Sequence, residues 1–257
     1  MAASLLFMFM LAQQGGAAPQ APARAVVELQ EAIRNHPEVE SNYTDLGNLL
    51  LTTQNFQEAA LVLEAARKRF PQSAQAALSA GVAYYGLRRF DDAVKSFLTA
   101  GKLDSNAEQP IAFLNRMAEN WGDRRDEVVT LFTAYAKAHA RSALAHFALG
   151  RATSNADELR KAIELNPKIA AAHIELGIVL ESQRDYSAAI AAMKRAATLE
   201  PANPVPHYRL SRLYARTGDA AKAESERELH EKLSAEEKAQ LERRQAATKH
   251  LKLTVRP

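Results

Sequence analysis

The sequence predicts an all-α fold made of short helical hairpins stacked one on the next, and two recurring residues indicate it. Proline follows an alanine by five residues at four places, which are Pro37, Pro71, Pro167 and Pro201. The steps from 37 to 71 and from 167 to 201 are both 34 residues, and Gly47 and Gly81 are separated by the same interval. A period of this length is typical of a solenoid, in which each repeat contacts only its neighbours.

The residue pattern of the repeat predicts a helix, a short turn, a second helix and a residue that ends the second helix. Glycine recurs at the eighth position, as at Gly47 and Gly177. Since glycine inside a helix costs about 1 kcal/mol relative to alanine, its recurrence indicates two helices that cross too closely for a side chain. Alanine at the twentieth position is the expected small surface opposite. Proline ends each second helix because it cannot continue the backbone hydrogen-bond ladder.

This interval divides the chain into six repeats and predicts their boundaries. They are 40–73, 74–107, 108–141, 143–169, 170–203 and 204–233. The third is degenerate, with Asn115 and Glu127 where small residues are expected. The fourth is shortened, since Gly150 to Pro167 is 17 residues where Gly47 to Pro71 is 24. We therefore expect a truncated hairpin in the fourth repeat.

The two ends of the array are predicted to be capped by single helices. Residues 24–39 match a lone second helix and predict an N-terminal cap. Ser234, followed three residues later by Glu237, forms a capping-box pattern that predicts a new helix from residue 234. The segment 234–257 is then a charged C-terminal cap and tail. It is interpreted as a solvated lid over the last repeat, and a coiled-coil partner helix is the alternative.

The first 23 residues differ from the repeats in composition. An eight-residue apolar run, from Leu5 to Ala12, is too short to span a bilayer. It is followed by small residues that end in Ala21-Pro22-Ala23, a cleavage pattern of secretory signal peptides. Segment 1–23 is therefore predicted to be a signal peptide of a periplasmic or secreted protein, although it has no Lys or Arg. A frayed terminus of a cytoplasmic protein, or an uncleaved membrane tether, are the alternatives.

Composition and motifs argue against several functions. The 33 basic residues are interleaved with 30 acidic ones, so the chain lacks the concentrated basic patch of a nucleic-acid-binding protein. It contains no cysteine, no glycine-rich phosphate loop and no His-Glu-x-x-His sequence. We therefore predict no enzymatic activity, no cofactor and no metal site. The alternative is an accessory module of an enzyme, or a weak hydrolase, that uses the histidines.

The repeat pattern resembles the tetratricopeptide repeat family. The family has a small residue at position eight, leucine or an aromatic at eleven, alanine at twenty and twenty-seven, and proline at thirty-two. Two repeats match it closely, with Gly47, Leu50, Ala59, Ala66 and Pro71 in one and Gly177, Leu180, Ala189, Ala196 and Pro201 in the other. The resemblance covers about residues 24–233. It implies a right-handed superhelical solenoid that acts as a scaffold or adaptor, binding a peptide or partner protein in its concave groove.

The resemblance also implies which side chains line that groove. Positions two, five, nine and twelve of each first helix face it in the family. They select Asn48, Val82, Tyr85, Arg116, Phe147, Arg151, Ile174, Ile178, Tyr208 and Arg212, and Arg216 lies one position further along. Apolar residues alternating with arginines predict a partner with apolar anchors and an acidic or carboxylate group. A merely solvated arginine face is the alternative.

Three histidines occupy the fourth position of their repeats. They are His146, His173 and His207. In the family this position packs against the neighbouring helix, so the resemblance implies a structural role for them.

Overall fold

The computed structural model describes residues 20–254, which contain thirteen α-helices, two short 3-10 turns and no strand. The helices are α1 (Gln20–Asn35), α2 (Glu40–Thr52), α3 (Phe56–Arg69), α4 (Ala74–Gly86), α5 (Phe90–Leu103), α6 (Glu108–Arg116), α7 (Arg125–Ala138), α8 (Ala143–Thr153), α9 (Ala156–Leu165), α10 (Ala170–Ser182), α11 (Tyr186–Leu199), α12 (Pro204–Thr217) and α13 (Ala220–Thr254). The predicted all-α repeat fold is confirmed.

The described residues form two compact units, one up to Ala140 and one from Arg141. The N-terminal unit contains α1 to α7, and the C-terminal unit contains α8 to α13. Within each unit, helices that follow one another in sequence pack as neighbours and successive hairpins stack, except that α6 and α7 of the third hairpin make few direct contacts with each other. Buried alanines at the hairpin crossings, such as Ala59 and Ala189, let the helices approach closely. The core is therefore a row of local contacts within each unit.

The recurring glycines lie where the two helices of a hairpin cross. A Cβ added to Gly47 would stand 2.5 Å from Leu63 Cδ2, and one added to Gly81 would stand 2.5 Å from Phe97 Cε1. The atoms nearest to this space thus belong to the large side chain at the twenty-fourth position. The sequence had suggested the alanine at the twentieth position as the surface opposite. In both hairpins, a large apolar side chain of the second helix packs directly against the glycine backbone of the first helix.

We predict that alanine at these glycines destabilises the first two hairpins. Gly47→Ala and Gly81→Ala should lower the free energy of unfolding by about 1–3 kcal/mol through overpacking, despite the better helix propensity of alanine. Gly177→Ala is the matched control: its new Cβ would stand 2.7 Å from the terminal methyl of Met193, and that flexible side chain can move away. Urea denaturation followed by circular dichroism measures all three. Equal losses at the three positions would contradict the crossing geometry.

The fourth hairpin is short. Helices α8 and α9 have 11 and 10 residues, against 13 and 14 in α10 and α11. Asn155 starts α9, because its side-chain oxygen accepts hydrogen bonds from the backbone amides of Asp157 and Glu158. Gly150 faces Leu159, whose backbone nitrogen would lie 2.9 Å from an added Cβ. In the shortened pair, the backbone of the second helix itself therefore lies close to the glycine.

The degenerate third hairpin is closed by a tryptophan. Helix α6 ends at Arg116, and two 3-10 turns replace its last part. Trp121 lies between those turns, is 3% exposed, and donates its indole N–H to the carbonyl oxygen of Leu114 at 2.8 Å. Its ring meets Phe132 edge-on at 5.8 Å. Trp121 is therefore a packing residue inside this hairpin.

The last helix corrects one prediction. No new helix starts at Ser234, because α13 runs without interruption from Ala220 to Thr254. The Ser234 hydroxyl instead lies 3.4 Å from His230 Nδ1 in the same helix. Segment 220–254 contains no proline or glycine and is rich in Ala, Glu, Lys and Arg, so no residue forces a turn that would allow the capping box to form. At the other end, α1 begins at Gln20, and residues 1–19 of the predicted signal peptide lie outside the described residues.

The turn inside each full-length hairpin adopts a left-handed backbone conformation at the fifteenth position of the repeat. The φ angles there are 59° at Gln54, 60° at Arg88 and 64° at Arg184. The third hairpin has Gly122 at this position, with φ 51°, and the last has Gly218, with φ 85°. Because this conformation is costly for residues other than glycine, these two glycines suit it better than the other three residues. The left-handed turn is common to the five hairpins, although their turn residues differ.

Candidate functional site

Five side chains of alternating charge cross the first helices of the C-terminal unit. This charged ladder comprises Arg151 on α8, Glu175 and Glu181 on α10, and Arg209 and Arg216 on α12. Arg151 Nε lies 2.8 Å from Glu175 Oε1. Glu181 lies between two arginines, with Arg209 Nη1 at 3.3 Å from one carboxylate oxygen and Arg216 Nη1 at 3.6 Å from the other. The ladder ties the three first helices together by charge.

Both glutamates of the charged ladder are withdrawn from water. Glu181 is 8% exposed, and Glu175 is half-buried. Burial raises the pKa of Glu175, while the positive charges of Arg151 and Arg209 oppose that rise. A buried carboxylate whose paired cation is removed is strongly destabilising. The arginines of this face are therefore part of the structure as well as possible ligand contacts.

A shallow cleft of about 440 Å³ lies at the end of the charged ladder. Its lining is Ile178, Glu181, Ser182, Arg184, Tyr186, Arg209 and Arg216. Arg216 also places its guanidinium 5.9 Å from the centre of the Tyr186 ring. The cleft thus combines an apolar side chain and an aromatic ring with three guanidinium groups and one carboxylate.

The predicted groove residues of the C-terminal unit lie along this same face, with different exposures. Phe147 is 7% exposed and belongs to a hydrophobic cluster with Leu159, so it offers little surface to a ligand. Ile174 and Ile178 are half-buried. Tyr208 is 42% exposed.

Arg212 is the predicted groove arginine that is not paired with an acid in the C-terminal unit. Its guanidinium lies 5.7 Å from the centre of the Tyr208 ring and donates to the Tyr208 hydroxyl at 3.3 Å. No carboxylate among the described residues lies within ion-pair distance of it, whereas Arg151 and Arg216 both have one.

The predicted groove residues of the N-terminal unit form a separate, mostly uncharged set. The Asn48 side-chain oxygen accepts a hydrogen bond from the Ser79 hydroxyl at 2.7 Å. Val82 is half-buried, and Tyr85 is 39% exposed. Arg116 is exposed at the end of α6 and has no ion pair with a described carboxylate. The structure therefore connects Asn48 to a neighbouring first helix and leaves Arg116 without such a link.

Three members of the charged ladder were missed by the sequence analysis. Glu181 stands at the twelfth position of its repeat, which the family rule itself selects. Glu175 and Arg209 stand at the sixth position of successive repeats, one acidic and one basic. Opposite charges at equal positions of neighbouring first helices were the signal that could have found them.

The three histidines at the fourth position are buried and bonded near their own hairpins. His146 Nδ1 lies 2.6 Å from Glu158, and His207 Nδ1 lies 2.6 Å from Glu226, each on the following second helix. His173 Nε2 lies 3.1 Å from the carbonyl oxygen of Pro167. This agrees with the implied packing role. Within residues 20–254, no group of three or more His, Asp or Glu side chains is placed to hold a metal ion.

We predict that His173 makes the protein less stable in acid. Burial lowers the pKa of His173 below its ordinary 6.5, so on acidification the unfolded chain takes up this proton before the folded one. The free energy of unfolding therefore decreases as the pH falls through 6.5 towards the lower folded-state pKa. At a pH above both pKa values His173 causes no such loss. His173→Gln should lose less stability than the wild type between pH 7.5 and 5.5, measured as the urea midpoint. His36→Gln, at an exposed site, is the control, and equal acid losses in all three proteins would refute the prediction.

Comparisons with known proteins agree with this architecture. Models of the tetratricopeptide repeat match residues 44–108 and residues 180–226. The chain therefore contains tetratricopeptide repeats. No curated protein matches the sequence. Tetratricopeptide arrays are in general scaffolds for protein–protein interaction, so the fold supports that broad class of function for this chain.

Solved structures of tetratricopeptide architecture are similar in fold. A chain in the crystal structure of the APC/C heterotetramer Cut9–Hcn1 matches with a TM-score of 0.58 and 18% identity, over 84% of this chain and 44% of that one. PilF of Pseudomonas aeruginosa matches with a TM-score of 0.55 and 19% identity, over 74% of this chain and 89% of that one. This tetratricopeptide protein thus spans less than half of the Cut9–Hcn1 chain. At these identities the likeness concerns the fold alone.

Over residues 20–254, no helix of this tetratricopeptide protein has both the length and the apolar character that crossing a bilayer requires.

Proposed function

We propose that this protein is a non-enzymatic adaptor that holds a peptide segment of a partner protein against helices α8, α10 and α12. The observation that carries the proposal is the cleft of about 440 Å³ beside the charged ladder. Ligand sites combine apolar walls with a few placed polar groups, and this cleft has Ile178 and Tyr186 together with Arg184, Arg209 and Arg216.

The partner segment is expected to present apolar anchors next to an acidic group. Tyr208 and Arg212 stand together on α12 and are both exposed, and tyrosine and arginine are the residue types enriched at binding hot spots. Because Arg212 is not engaged by a carboxylate of the chain, it is the arginine best placed to receive one from a partner. Ile174 and Ile178, half-buried on α10, offer the apolar contacts.

The choice of arginine matters for any test of this proposal. Charge reversal at Arg151 would place a new carboxylate beside Glu175, which already has a raised pKa. Such a variant would disturb the fold and lose binding for that reason alone. Arg212 has no such carboxylate neighbour, so its reversal tests binding more directly.

The histidines support the non-enzymatic part of the proposal. Each of the three at the fourth position is at most 7% exposed. Each is bonded within its hairpin or to the turn before it. A general base or nucleophile must reach its substrate, and these side chains are turned into the packing between helices. An accessory role beside an enzyme requires no chemistry from them.

We also propose that the protein is exported. The support is the apolar run and the Ala-Pro-Ala sequence within residues 1–23. Cleavage after Ala23 would remove the first four residues of α1, which begins at Gln20. Mass spectrometry of the protein purified from its native cells should find Arg24 at the N-terminus. An intact leader in the membrane fraction would favour the tether, and an intact leader in the cytoplasm would reject export.

Photo-crosslinking in the native cell tests the adaptor function. A photoreactive residue in place of Tyr208 should give a discrete crosslinked partner, because this side chain is exposed on the proposed binding face. Adding Arg212→Glu should reduce that crosslink at least about tenfold, which corresponds to about 1.4 kcal/mol. Lys194→Glu, exposed on the second helix α11, is the matched charge reversal and should leave the crosslink unchanged. A crosslink that survives Arg212→Glu, or that is lost equally with Lys194→Glu, would reject binding on this face.

A further inference from the structure

Helix α1 has the residues of a second helix, and no first helix stands before it among residues 20–254. Pro37 follows α1 as Pro71 follows α3. The twentieth, twenty-fourth and twenty-seventh positions of the repeat are occupied in α1 by Ala25, Leu29 and Ala32. Because they are four and three residues apart, these side chains lie on one face of the helix. We call them the open face.

The complete hairpins show what covers such a face. In α3, α5 and α11 the same three positions are at most 1% exposed, because the first helix of the hairpin packs on them. In α1 all three are only half-buried. Helix α1 is held instead by Ile33, which packs against the cluster that contains Tyr43 of α2. Terminal repeats of solenoids usually have a polar outer face, whereas the open face has only alanine and leucine.

We infer that the open face binds one helix of a partner protein, which completes the hairpin. The chain's own first helices indicate the sequence that this partner helix needs. In α2, Gly47 leaves room for the large side chain of the second helix, and Leu46 and Leu50 are buried on either side of it. The partner segment is therefore an amphipathic helix with the pattern Leu-Gly-x-x-Leu, or an apolar equivalent of it.

Two other occupants fit the open face less well. Residues 6–18 have the sequence positions of a first helix before α1, but they place Gln13 at the eighth position. At Gly47 even a single added Cβ would stand 2.5 Å from Leu63, so glutamine is too large for that crossing. A second copy of the chain offers no free first helix among residues 20–254, because its first helices already pack against helices of their own chain.

This mode of binding is separate from the one proposed at the cleft. The open face lies in the N-terminal unit, and the cleft lies in the C-terminal unit. An amphipathic helix is recognised through apolar residues at i, i+3 and i+4, without the acidic group that the cleft requires. A missing partner crosslink at Tyr208 would therefore leave the inference about α1 standing.

Fluorescence anisotropy with a helical peptide tests the inference. The labelled probe copies α2, residues 40–52, with Ser41 replaced by lysine and joined to Asp45 by a lactam that holds the peptide helical. Both positions are exposed in the chain, so the lactam lies away from the buried stripe. The wild-type full chain should bind the probe saturably. It should bind the same peptide with Gly47→Leu at least about tenfold more weakly, because leucine would collide with Leu29.

Variants of the full chain locate the bound peptide. Leu29→Glu puts a charge on the open face and should weaken binding of the probe at least about tenfold. Val27→Glu is the matched control, since Val27 is 51% exposed on the opposite side of the same helix, and it should bind as the wild type does. Ala25→Leu fills a small position but keeps a good helix former. It should also weaken binding about tenfold, which decides the matter if Leu29→Glu lowers the urea midpoint.

Three results would overturn the inference. The first is no saturable binding, or equal binding of the two peptides. The second is binding that survives both Leu29→Glu and Ala25→Leu, which would mean that the probe exchanges with α2 in its own hairpin. The third is a full chain that sediments as a dimer and becomes a monomer with Leu29→Glu but not with Val27→Glu, since a second copy would then occupy the open face.

Discussion

The close approach of two helices at a glycine is the constraint on which the rest of the structure depends. Leu63 and Phe97 each sit against a glycine backbone in the preceding helix, and this contact fixes how each hairpin closes. Since successive hairpins then present similar surfaces, they stack in the same way within each unit. The first helices come to lie side by side, and residues that are 34 apart in sequence become neighbours in space. The charged ladder exists only because of this repeated spacing.

The charged ladder gives the arginines on this face a structural role. Arg151, Arg209 and Arg216 neutralise half-buried or buried glutamates, so their positions are held before any partner arrives. Ion pairs of this kind contribute little net stability once desolvation is counted. They do orient the guanidinium groups, and oriented groups lose less entropy when a ligand binds. The same contacts therefore link the helices and hold the guanidinium groups of this face in place.

The sequence predicted the hairpins well and the charged ladder only in part. Proline and glycine mark local events, the end of a helix and a close crossing, so Pro71 and Gly47 could be interpreted without knowledge of distant residues. The pairing of Glu181 with Arg209 joins residues 28 apart and depends on how two hairpins stack, which no local pattern states. The uninterrupted helix α13 was missed for the opposite reason, since a local capping pattern at Ser234 was overridden by a long run of good helix formers. The exposure of Tyr208 and the burial of Phe147 likewise follow from packing, although both occupy the fifth position of a repeat.

The left-handed turns give this protein a means of becoming more stable that is separate from its charged ladder. Gln54 and Arg88 each hold a strained backbone angle in the N-terminal unit, far in sequence from the cleft, and the strain of such an angle is about 1–2 kcal/mol for a residue with a side chain. Glycine at those two places would relieve it without removing any group that lines the cleft. At Arg184 the same exchange would cost the cleft one of its arginines. Substitution by glycine could therefore raise the thermal stability at Gln54 and Arg88 without changing the cleft, whereas at Arg184 it would remove a side chain that lines the cleft.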